Sequence, residues 1–518
     1  MRRRTYWLLI PLFLTPPFTS RQEKDPLDSI TVAELKDHIY CLASDSFGGR
    51  LTGSEGFKQA SHYIASQLNA AGLAPVAGDS RGKGFYFQPI DFTISTISPE
   101  SSLRIRESQR EAALVSGDKF IPMLHSKAFK NGHYEGTAVF VGYGIEEPKD
   151  GWNDYESIDV RGKIAVMIAG APTKGGKPLL SEGKNKFYGS LGQSAQKRMI
   201  TAFLHRAEGI IIVADSATAK MWRQLASMMN KSTRRLVPDG KEGSGHFYPV
   251  FLLHPEAAGM LLKETGFDPV SGRGEAKPVP LKNTTLIFDL KYKIEREFAC
   301  QNVVGFVPGS DPKLKDEFVV VGAHLDHLGI KNEGIFNGAD DNASGCAAVL
   351  EVAEAIALSP PRRSLFFVFY TGEEGGGHGS FHFVDNFPSS LGKIALAINV
   401  DMVGRNCGRF PNHLLGISPD NLKLELAQFM EKANKNSVNV KLKTYFQEDD
   451  LGSSFGGSDE VVFYLRGIPV VLLTGGASHP DYHKVSDDPE KINYDKVADA
   501  SRLVYALAAM AASAEKIP

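Results

Sequence analysis

Four apolar runs in the C-terminal part of the chain place the strongest constraint on its fold. They read FVVVGA, SLFFVFYTG, IALAINV and IPVVLLTGG, and helical patterns such as CAAVLEVAEAIAL and YDKVADASRLVYALAAMAAS lie between and after them. Near-continuous apolar strands that alternate with helices are typical of a mostly parallel sheet covered on both faces. We therefore predict an α/β fold with a doubly wound, mostly parallel sheet for this part of the chain.

The remaining sequence indicates a second module. At 518 residues the chain is too long for one ordinary core. From about Phe85 to Asp289 it is rich in glycine and in short β-type runs such as GKIAVMIAG and GIIIVAD. The formal net charge is −2, and the sequence has no basic stripe interleaved with aromatic residues, which argues against nucleic-acid binding. This charge balance favours small or peptide-like substrates.

The first 20 residues, MRRRTYWLLIPLFLTPPFTS, have the composition of a secretory signal peptide. Three arginines precede an apolar run that is too short to span a bilayer. A membrane anchor is the weaker alternative, because Pro11, Pro16 and Pro17 interrupt the run. We expect a secreted or periplasmic protein whose mature chain has no membrane span.

The four cysteines, Cys41, Cys300, Cys346 and Cys407, are widely spaced and form no CxxC motif. This spacing argues against a structural zinc knuckle and against a disulfide scaffold. We therefore expect the stability of the chain to come mainly from its apolar core.

Candidate metal ligands follow each of the four apolar runs. After the four runs, in chain order, come His324, then Glu373 and Glu374, then Asp401, then His479 and His483. Asp340 and Asp341 lie just before the helical pattern CAAVLEVAEAIAL. Singly, such acidic residues can cap a helix or complement its dipole, and such histidines can be ordinary loop residues. Parallel strands end at one edge of a sheet, so we expect these side chains to converge. Several carboxylates in one crevice are costly without cations.

These residue types also indicate which cation they would bind. Imidazole and carboxylate donors without thiolate suit zinc, with cobalt or manganese as possible substitutes. Even two histidines and three carboxylates from this set are too many for one catalytic zinc with three protein ligands. They suit two ions about 3.5–4 Å apart that share one carboxylate and one water. We therefore predict two Zn²⁺ per chain and metal-assisted hydrolysis.

Five motifs carry a resemblance to a known family. They are GAHLDHLG, NGADDNASGCAAVLEVA, YTGEEGGGHGS, INVDMVGR and DYHKVSDD. In order and surroundings they resemble the metal-site motifs of the co-catalytic di-zinc aminopeptidases, which also include glutamate carboxypeptidase and the transferrin receptor ectodomain. The resemblance extends from Asn302 to the C-terminus, and LASDSFGGRLTGSEG is similar to the family's N-terminal segment. It implies a zinc exopeptidase-like fold.

The middle of the chain resembles the protease-associated domain that is inserted into many secreted members of this family. The segments that carry this resemblance include AVFVGYGI, GWNDYESIDVRGKIAVMI and YPVFLLHPEAAGMLL. The expected organisation is a signal peptide at 1–20, a catalytic domain at 26–105 and 296–518, and an inserted protease-associated domain at 106–295.

The resemblance also implies a role for each motif residue. It implies that His324 and Asp401 bind one ion, that Glu374 and His483 bind the other, and that Asp341 bridges the two. It further implies that Asp326 is the carboxylate that fixes the imidazole of His324, that Glu373 is the general base, and that the peptide bond between Asp341 and Asn342 is cis.

The resemblance implies an aminopeptidase that removes N-terminal residues from peptides through a bridging hydroxide on the two zinc ions. A carboxypeptidase or dipeptidase of the same family is an alternative, since Arg405 or Arg409 could anchor a substrate carboxylate, although surface charges are the commoner interpretation. A glutaminyl cyclase is a less favoured alternative, because those enzymes resemble single-zinc relatives. A receptor-like ectodomain is disfavoured by the complete set of ligands.

Two residues depart from the family pattern. Glu460, in GGSDEVVF, stands where many relatives have histidine, and adds negative charge near a possible substrate pocket. His378, in EEGGGHGS, stands where an apolar residue is usual. We expect it to be an exposed turn residue.

Overall fold

The computed structural model describes eleven segments of the chain. They are 25–78, 84–107, 110–122, 132–229, 233–236, 250–359, 361–406, 412–418, 423–446, 457–476 and 479–518. The predicted signal peptide, Cys407 and Arg409 lie outside these residues. Within the described residues, no helix is both long and apolar enough to cross a bilayer.

The described residues form two compact units. The first contains those up to Ile90, those from Ala299 to Asp449 and those from Gly457 onwards, and the second contains those from Asp91 to Phe298. The expected boundary at 105/106 falls inside the strand Ser102–Glu107, which pairs with Val279–Leu290 within the second unit. A pairing between strands so distant in sequence leaves no local signal.

The sheet of the first unit confirms the predicted α/β class. Its central strands, in spatial order, are Ser364–Tyr370, Glu317–His324, Lys393–Val400 and Val470–Thr474, and all of them are parallel. On one side Tyr292–Val307 pairs antiparallel with Ser364–Tyr370. On the other side Leu414–Ser418 pairs antiparallel with Val470–Thr474, and Leu442–Phe446 pairs parallel with Leu414–Ser418. All seven residues of Ser364–Tyr370 are buried, as expected for a strand covered on both faces.

Helices cover this sheet. They are Pro26–Ser29, Val32–Leu42, Glu55–Ala70, Gly345–Leu358, His378–Asp385, Lys423–Asn436, Glu460–Leu465 and Tyr494–Ser513. Gly345–Leu358 is buried along most of its length because its sequence is apolar on nearly every face. A short hairpin, Gly329–Lys331 with Gly334–Phe336, follows the strand that ends at His324.

The second unit is built on an eight-stranded sheet. In spatial order its strands are Arg110–Val115, Ser102–Glu107, Val279–Leu290, Gly132–Phe140, Ile164–Ile168, Gly209–Val213, Val250–Leu253 and Phe120–Pro122. Its helices are Glu182–Tyr188, Leu191–Leu204, Ser216–Lys220, Trp222–Met229 and Pro255–Leu261. Separate apolar clusters pack on this sheet, one containing Phe251 and Phe288 and the other containing Met199 and Trp222. The assignment of this unit as a protease-associated domain remains a prediction.

Candidate metal centre

The candidate ligands lie at the carboxyl ends of the four parallel strands. His324 is the last residue of its strand, and Asp401 follows directly after Val400. Glu373 and Glu374 lie in the turn after Tyr370, and His483 lies in the loop after Thr474.

One group of donor atoms surrounds His324. Its Nε2 lies 3.3 Å from Oδ1 of Asp341 and 3.3 Å from Oδ1 of Asp401. Its Nδ1 lies 3.0 Å from the main-chain carbonyl oxygen of Asp326 and therefore donates a hydrogen bond to it. This hydrogen bond places the lone pair of the neutral ring on Nε2, between two carboxylate oxygens. A cation at that point would satisfy all three atoms.

A second group uses the other oxygen of Asp341. Nε2 of His483 lies 3.1 Å from Oδ2 of Asp341 and 3.3 Å from Oε2 of Glu374. The two oxygens of Asp341 therefore face different histidines. This is the arrangement expected of a bridging carboxylate.

His327 is a site residue that the sequence analysis left without a role. Its Nδ1 lies 2.6 Å from Oε1 of Glu374 and 3.6 Å from Oδ2 of Asp341, and its side chain is fully buried. His327, Asp341 and Glu374 form one of the two clusters of possible metal ligands among the described residues, and His324, Asp341 and Asp401 form the other. Its position three residues after His324, in HLDHLG, was the available signal.

The carboxylates strongly perturb the protonation of the site. Burial opposes a charge on His324, but Asp401 and Glu373 raise its pKa well above the ordinary value. Burial raises the pKa of Glu374 to about 8, and the charge of Asp341 adds to this effect. Burial lowers the pKa of His327 to about 4, so that this ring is neutral at pH 7. The raised pKa values of His324 and Glu374 mean that, without a cation, these groups bind protons that reduce the negative charge of the site. A bound metal ion would replace those protons.

The donor spacing fits zinc. Bonds of about 2.0–2.1 Å at tetrahedral angles place neighbouring donor atoms roughly 3.3 Å apart. The distances of 3.1–3.3 Å from His324 and His483 to their carboxylate oxygens match this edge. The 2.6 Å contact between His327 and Glu374 is instead a hydrogen-bond distance. His324 and His483 thus have the spacing of ligands, and His327 that of a hydrogen-bond partner of Glu374.

Hydrogen bonds fix the segment that carries Asp341. The main-chain N–H groups of Asp340 and Asp341 donate to the buried carboxylate of Asp487. The peptide bond between Asp341 and Asn342 is cis, as the family resemblance implied. Oδ1 of Asn342 accepts from the N–H of Gly345, which begins the following helix, and from that of Met402.

Asp340 and Ser344 have roles different from that of Asp341. Oδ1 of Asp340 accepts hydrogen bonds from the N–H of Gly404 and the hydroxyl of Ser344. Its Oδ2 lies 3.3 Å from Nε2 of His479, so His479 contacts Asp340 rather than the two ligand groups. The hydroxyl of Ser344 also accepts from the N–H of Val403.

Asp326 does not act on His324 in the predicted way. Its main-chain carbonyl, and not its carboxylate, accepts the hydrogen bond from the imidazole. The carboxylate instead accepts from the hydroxyl of Thr52 at 2.9 Å and from the N–H of Glu373 at 3.0 Å. Asp326 therefore positions the turn of Glu373 directly.

Three further residues lie where the sequence did not place them. His378 is 1% exposed, so the prediction of an exposed turn histidine is wrong, because the turn is followed at once by the packed helix His378–Asp385. Glu460 is fully buried, and its Oε2 accepts from Nδ2 of Asn399. Arg405 is half-buried and pairs with Asp481 at 2.8 Å, so it is not a simple surface charge.

The three described cysteines are free thiols. Cys346 donates a hydrogen bond to the main-chain carbonyl of His324, and Cys300 lies 3.2 Å from the hydroxyl of Thr371. Burial raises the pKa of Cys346 to about 12. The Cys346 thiol therefore packs behind the site as a neutral group.

Comparisons with known proteins agree with this geometry. The chain is 27% identical over 223 residues to a probable leucine aminopeptidase of Trichophyton verrucosum, covering 41% of this chain and 57% of that protein. It is 24% identical over 479 residues to a probable glutamate carboxypeptidase VP8 of Zea mays, covering 85% of this chain and 60% of that protein. The chain thus spans little more than half of the length of these curated relatives.

Among solved structures, an aminopeptidase from Aneurinibacillus sp. strain AM-1 superposes with a TM-score of 0.48 at 18% identity, covering 95% of this chain and 97% of that one. The family model described as peptidase family M28 matches residues 302–508. Every candidate ligand described above lies within those residues. Residues 302–508 of this chain, which contain the candidate ligands, are therefore similar to peptidase family M28.

Proposed function

We propose that the protein is a zinc-dependent aminopeptidase with two ions per chain. The observation that carries this proposal is the carboxylate of Asp341, whose two oxygens face two separate histidine and carboxylate pairs at 3.1–3.3 Å. When bound, the ions would supply Lewis acidity that activates water and polarises the carbonyl of the scissile bond. His324 and Asp401 would hold one ion, His483 and Glu374 the other, and Asp341 both.

Glu373 is the proposed general base. It precedes a ligand in sequence, and Asp326 holds its main-chain N–H at 3.0 Å. Burial raises the pKa of its carboxyl well above the ordinary value, and the neighbouring charge of Asp459 adds to this effect. A carboxylate with a raised pKa takes a proton from water readily and returns it to the departing amine.

The state of Arg405 favours cleavage from the N-terminus over cleavage from the C-terminus. A carboxypeptidase needs a cation that is available to the substrate carboxylate. The guanidinium of Arg405 is already paired with Asp481, which also binds Lys491 and the hydroxyl of Ser486. Cleavage from the C-terminus remains the competing proposal, because one relative is named as a probable glutamate carboxypeptidase.

Three versions of one peptide separate the two directions. We expect hydrolysis of the unmodified peptide and of the C-terminally amidated peptide, and none of the N-acetylated peptide, with single-residue losses seen by mass spectrometry. Cleavage of the acetylated peptide with loss of C-terminal residues would identify a carboxypeptidase. A dipeptide substrate set, run in parallel, identifies a dipeptidase by the absence of cleavage in longer peptides.

The matched variant for the chemistry is Glu373→Gln. It removes the base while keeping the shape of the side chain, so we expect wild-type zinc content and a loss of roughly 10²–10⁴-fold in kcat. Zinc content is measured by atomic emission on the same sample. Full activity in this variant would exclude Glu373 as the base.

We also propose that the chain is exported, on the basis of the composition of residues 1–20. N-terminal sequencing of the protein recovered from its native host tests this proposal. A mature N-terminus near residue 20 is expected, and an intact N-terminus in the cytoplasm would contradict it.

A further inference from the structure

Arg50 is a fully buried arginine whose donors all bind main-chain carbonyl oxygens. It is 1% exposed. The acceptors are the carbonyls of Leu325 at 2.9 Å, Leu42 at 2.6 Å, Asn337 at 2.6 Å, Gly338 at 2.9 Å and Asp341 at a longer 3.5 Å. Leu325 directly follows the ligand His324, and Asn337, Gly338 and Asp341 belong to the loop that carries the bridging carboxylate. One side chain therefore binds both loops.

A buried arginine is ordinarily paired with a carboxylate. Among the described residues no ion pair joins Arg50 to an acid. Burial lowers the pKa of its guanidinium, and the charges of Asp341, Asp487 and Asp326 oppose this effect. Its charge is stabilised by the dipoles of these main-chain carbonyl groups. The main-chain carbonyl of Arg50 also accepts from the N–H of His327 at 3.3 Å.

The FGGR sequence brings Arg50 to this position. Gly48 and Gly49 have φ of +53° and +66°. A Cβ at Gly49 would lie 2.4 Å from the carbonyl oxygen of Phe336 and 2.7 Å from that of Gly329. Only glycine permits this close approach to the hairpin, which sets the path of the chain into Arg50.

Thr52, two residues later, binds the third loop. Its hydroxyl donates to Oδ2 of Asp326 at 2.9 Å and accepts from the N–H of Gly372 at 3.0 Å. Oδ1 of the same Asp326 accepts the N–H of Glu373. Arg50 and Thr52 together thus contact the loops that carry His324, Asp341, Glu373 and Glu374.

We propose that Arg50 and Thr52 form a brace, here named the RLT brace for residues 50–52, that sets the zinc affinity of the site by holding the loops of its ligands in register. This inference rests on the proposed function, because it assumes that the ligand set binds zinc. The hydrogen bonds of both residues reach main-chain groups and the carboxylate of Asp326 rather than the donor atoms of the candidate ligands, so both are positioning residues. Partners that orient metal ligands are worth about 10–100-fold in metal affinity.

The test measures zinc affinity in the metal-free full chain by competition with a chromophoric chelator. For Arg50→Met we expect a dissociation constant raised by roughly 10–100-fold. Arg50→Lys keeps the charge but lacks the planar five-donor geometry, so its affinity should lie between those of Arg50→Met and wild type. Thr52→Val, nearly isosteric, should lower kcat more than it changes KM, because the turn of Glu373 loses its support. Thr52→Ser should restore both values.

Arg363 provides a matched control. It is also 1% exposed and binds the main-chain carbonyl of Ala511. Unlike Arg50 it pairs with an acid, Glu317, at 2.8 Å, and it lies at the amino end of the strand Ser364–Tyr370, away from the ligands. Arg363→Met should lower the unfolding temperature and leave the zinc dissociation constant unchanged.

Two outcomes would contradict the proposed role of the RLT brace in zinc affinity. One is wild-type zinc affinity and kcat in folded Thr52→Val and Arg50→Lys. The other is a loss of zinc affinity in Arg363→Met that equals the loss in the Arg50 variants, since the effect would then follow general stability. If Arg50→Met does not fold, the zinc affinity of Arg50→Lys and the kcat of the Thr52 pair still decide the question. Failure of the wild-type chain to bind zinc would instead contradict the proposed function.

Discussion

Nδ1 of His327 lies 2.6 Å from Oε1 of Glu374, which is too short for two ligands of one tetrahedral zinc ion. We therefore expect His327→Gln to keep two zinc ions but to bind one of them about 10–100-fold more weakly. His483→Gln, which removes a ligand, should lose one ion completely. Zinc content after dialysis, measured by atomic emission, distinguishes the two. Loss of an ion in His327→Gln with full occupancy in His483→Gln would reverse the assignment.

The shared carboxylate of Asp341 predicts an unequal effect of two similar substitutions. Asp341→Asn leaves a neutral amide where both groups need an anion, so both ions should be lost or strongly weakened. Asp401→Asn removes a donor from the group around His324 only, and one ion should remain. Titration of the metal-free variants with cobalt, followed by visible absorption, counts the sites. Equal stoichiometry in the two variants would argue against a bridging role.

The buried carboxyl of Asp459 should make a contribution to the stability of the metal-free protein that decreases as the pH rises from about 4 to 7. Asp459 is fully buried, and burial, with a smaller contribution from Asp326 and Asp401, raises its pKa to about 7. An unfolded chain has an aspartate pKa of about 3.9, so in this window the folded state binds a proton that the unfolded state does not. The contribution of Asp459 to the free energy of unfolding is therefore greatest below pH 4. It falls as the pH rises, until the pKa of the folded state is passed.

The variant Asp459→Asn isolates this contribution. It should flatten the pH profile of the free energy of unfolding by on the order of 2–4 kcal/mol between pH 4 and 7, as measured by denaturant titration of chelator-treated protein. Asp316→Asn, at an exposed position, is the control and should leave the profile unchanged. A wild-type profile that rises with pH in this window and is insensitive to Asp459→Asn would contradict the prediction.

Gly345 should tolerate no side chain. A Cβ there would lie 2.2 Å from Oδ1 of Asn342 and 2.5 Å from the carbonyl oxygen of Val400. Gly345→Ala would displace Asn342 from its hydrogen bond to the helix, at a cost of about 1–3 kcal/mol, and shift Asp341. We expect a lower unfolding temperature and weaker zinc binding. Gly259, in the helix Pro255–Leu261, is the control, because a Cβ there would have no neighbour within 4 Å. Gly259→Ala should be neutral or stabilising, and a similar loss there would contradict this explanation.

The sequence located the elements of the first unit closely. The runs FVVVGA and CAAVLEVAEAIAL correspond to Glu317–His324 and Gly345–Leu358, because apolar periodicity is a local property of the chain. His378 was predicted to be exposed but is buried, because its burial depends on contacts with distant segments. The extent of the second unit also depends on such contacts.

The wider set of candidate ligands could be predicted from sequence because parallel strands bring their carboxyl ends to one edge. The family resemblance then selected His324, Asp341, Glu374, Asp401 and His483 from that set. The sequence could not distinguish the two histidines that lie near Glu374, or show that the carbonyl of Asp326 holds His324. These choices depend on distances of a few tenths of an ångström between folded loops.

From the sequence alone, the imidazole and carboxylate residues at the strand ends predict a site for two cations. Only the tertiary structure decided how those residues are held. The contacts from Arg50 to Leu325 and from Thr52 to Asp326 span 275 and 274 residues. Such hydrogen bonds follow no local periodicity, since they arise only when the sheet has formed and the N-terminal segment packs against its carboxyl edge.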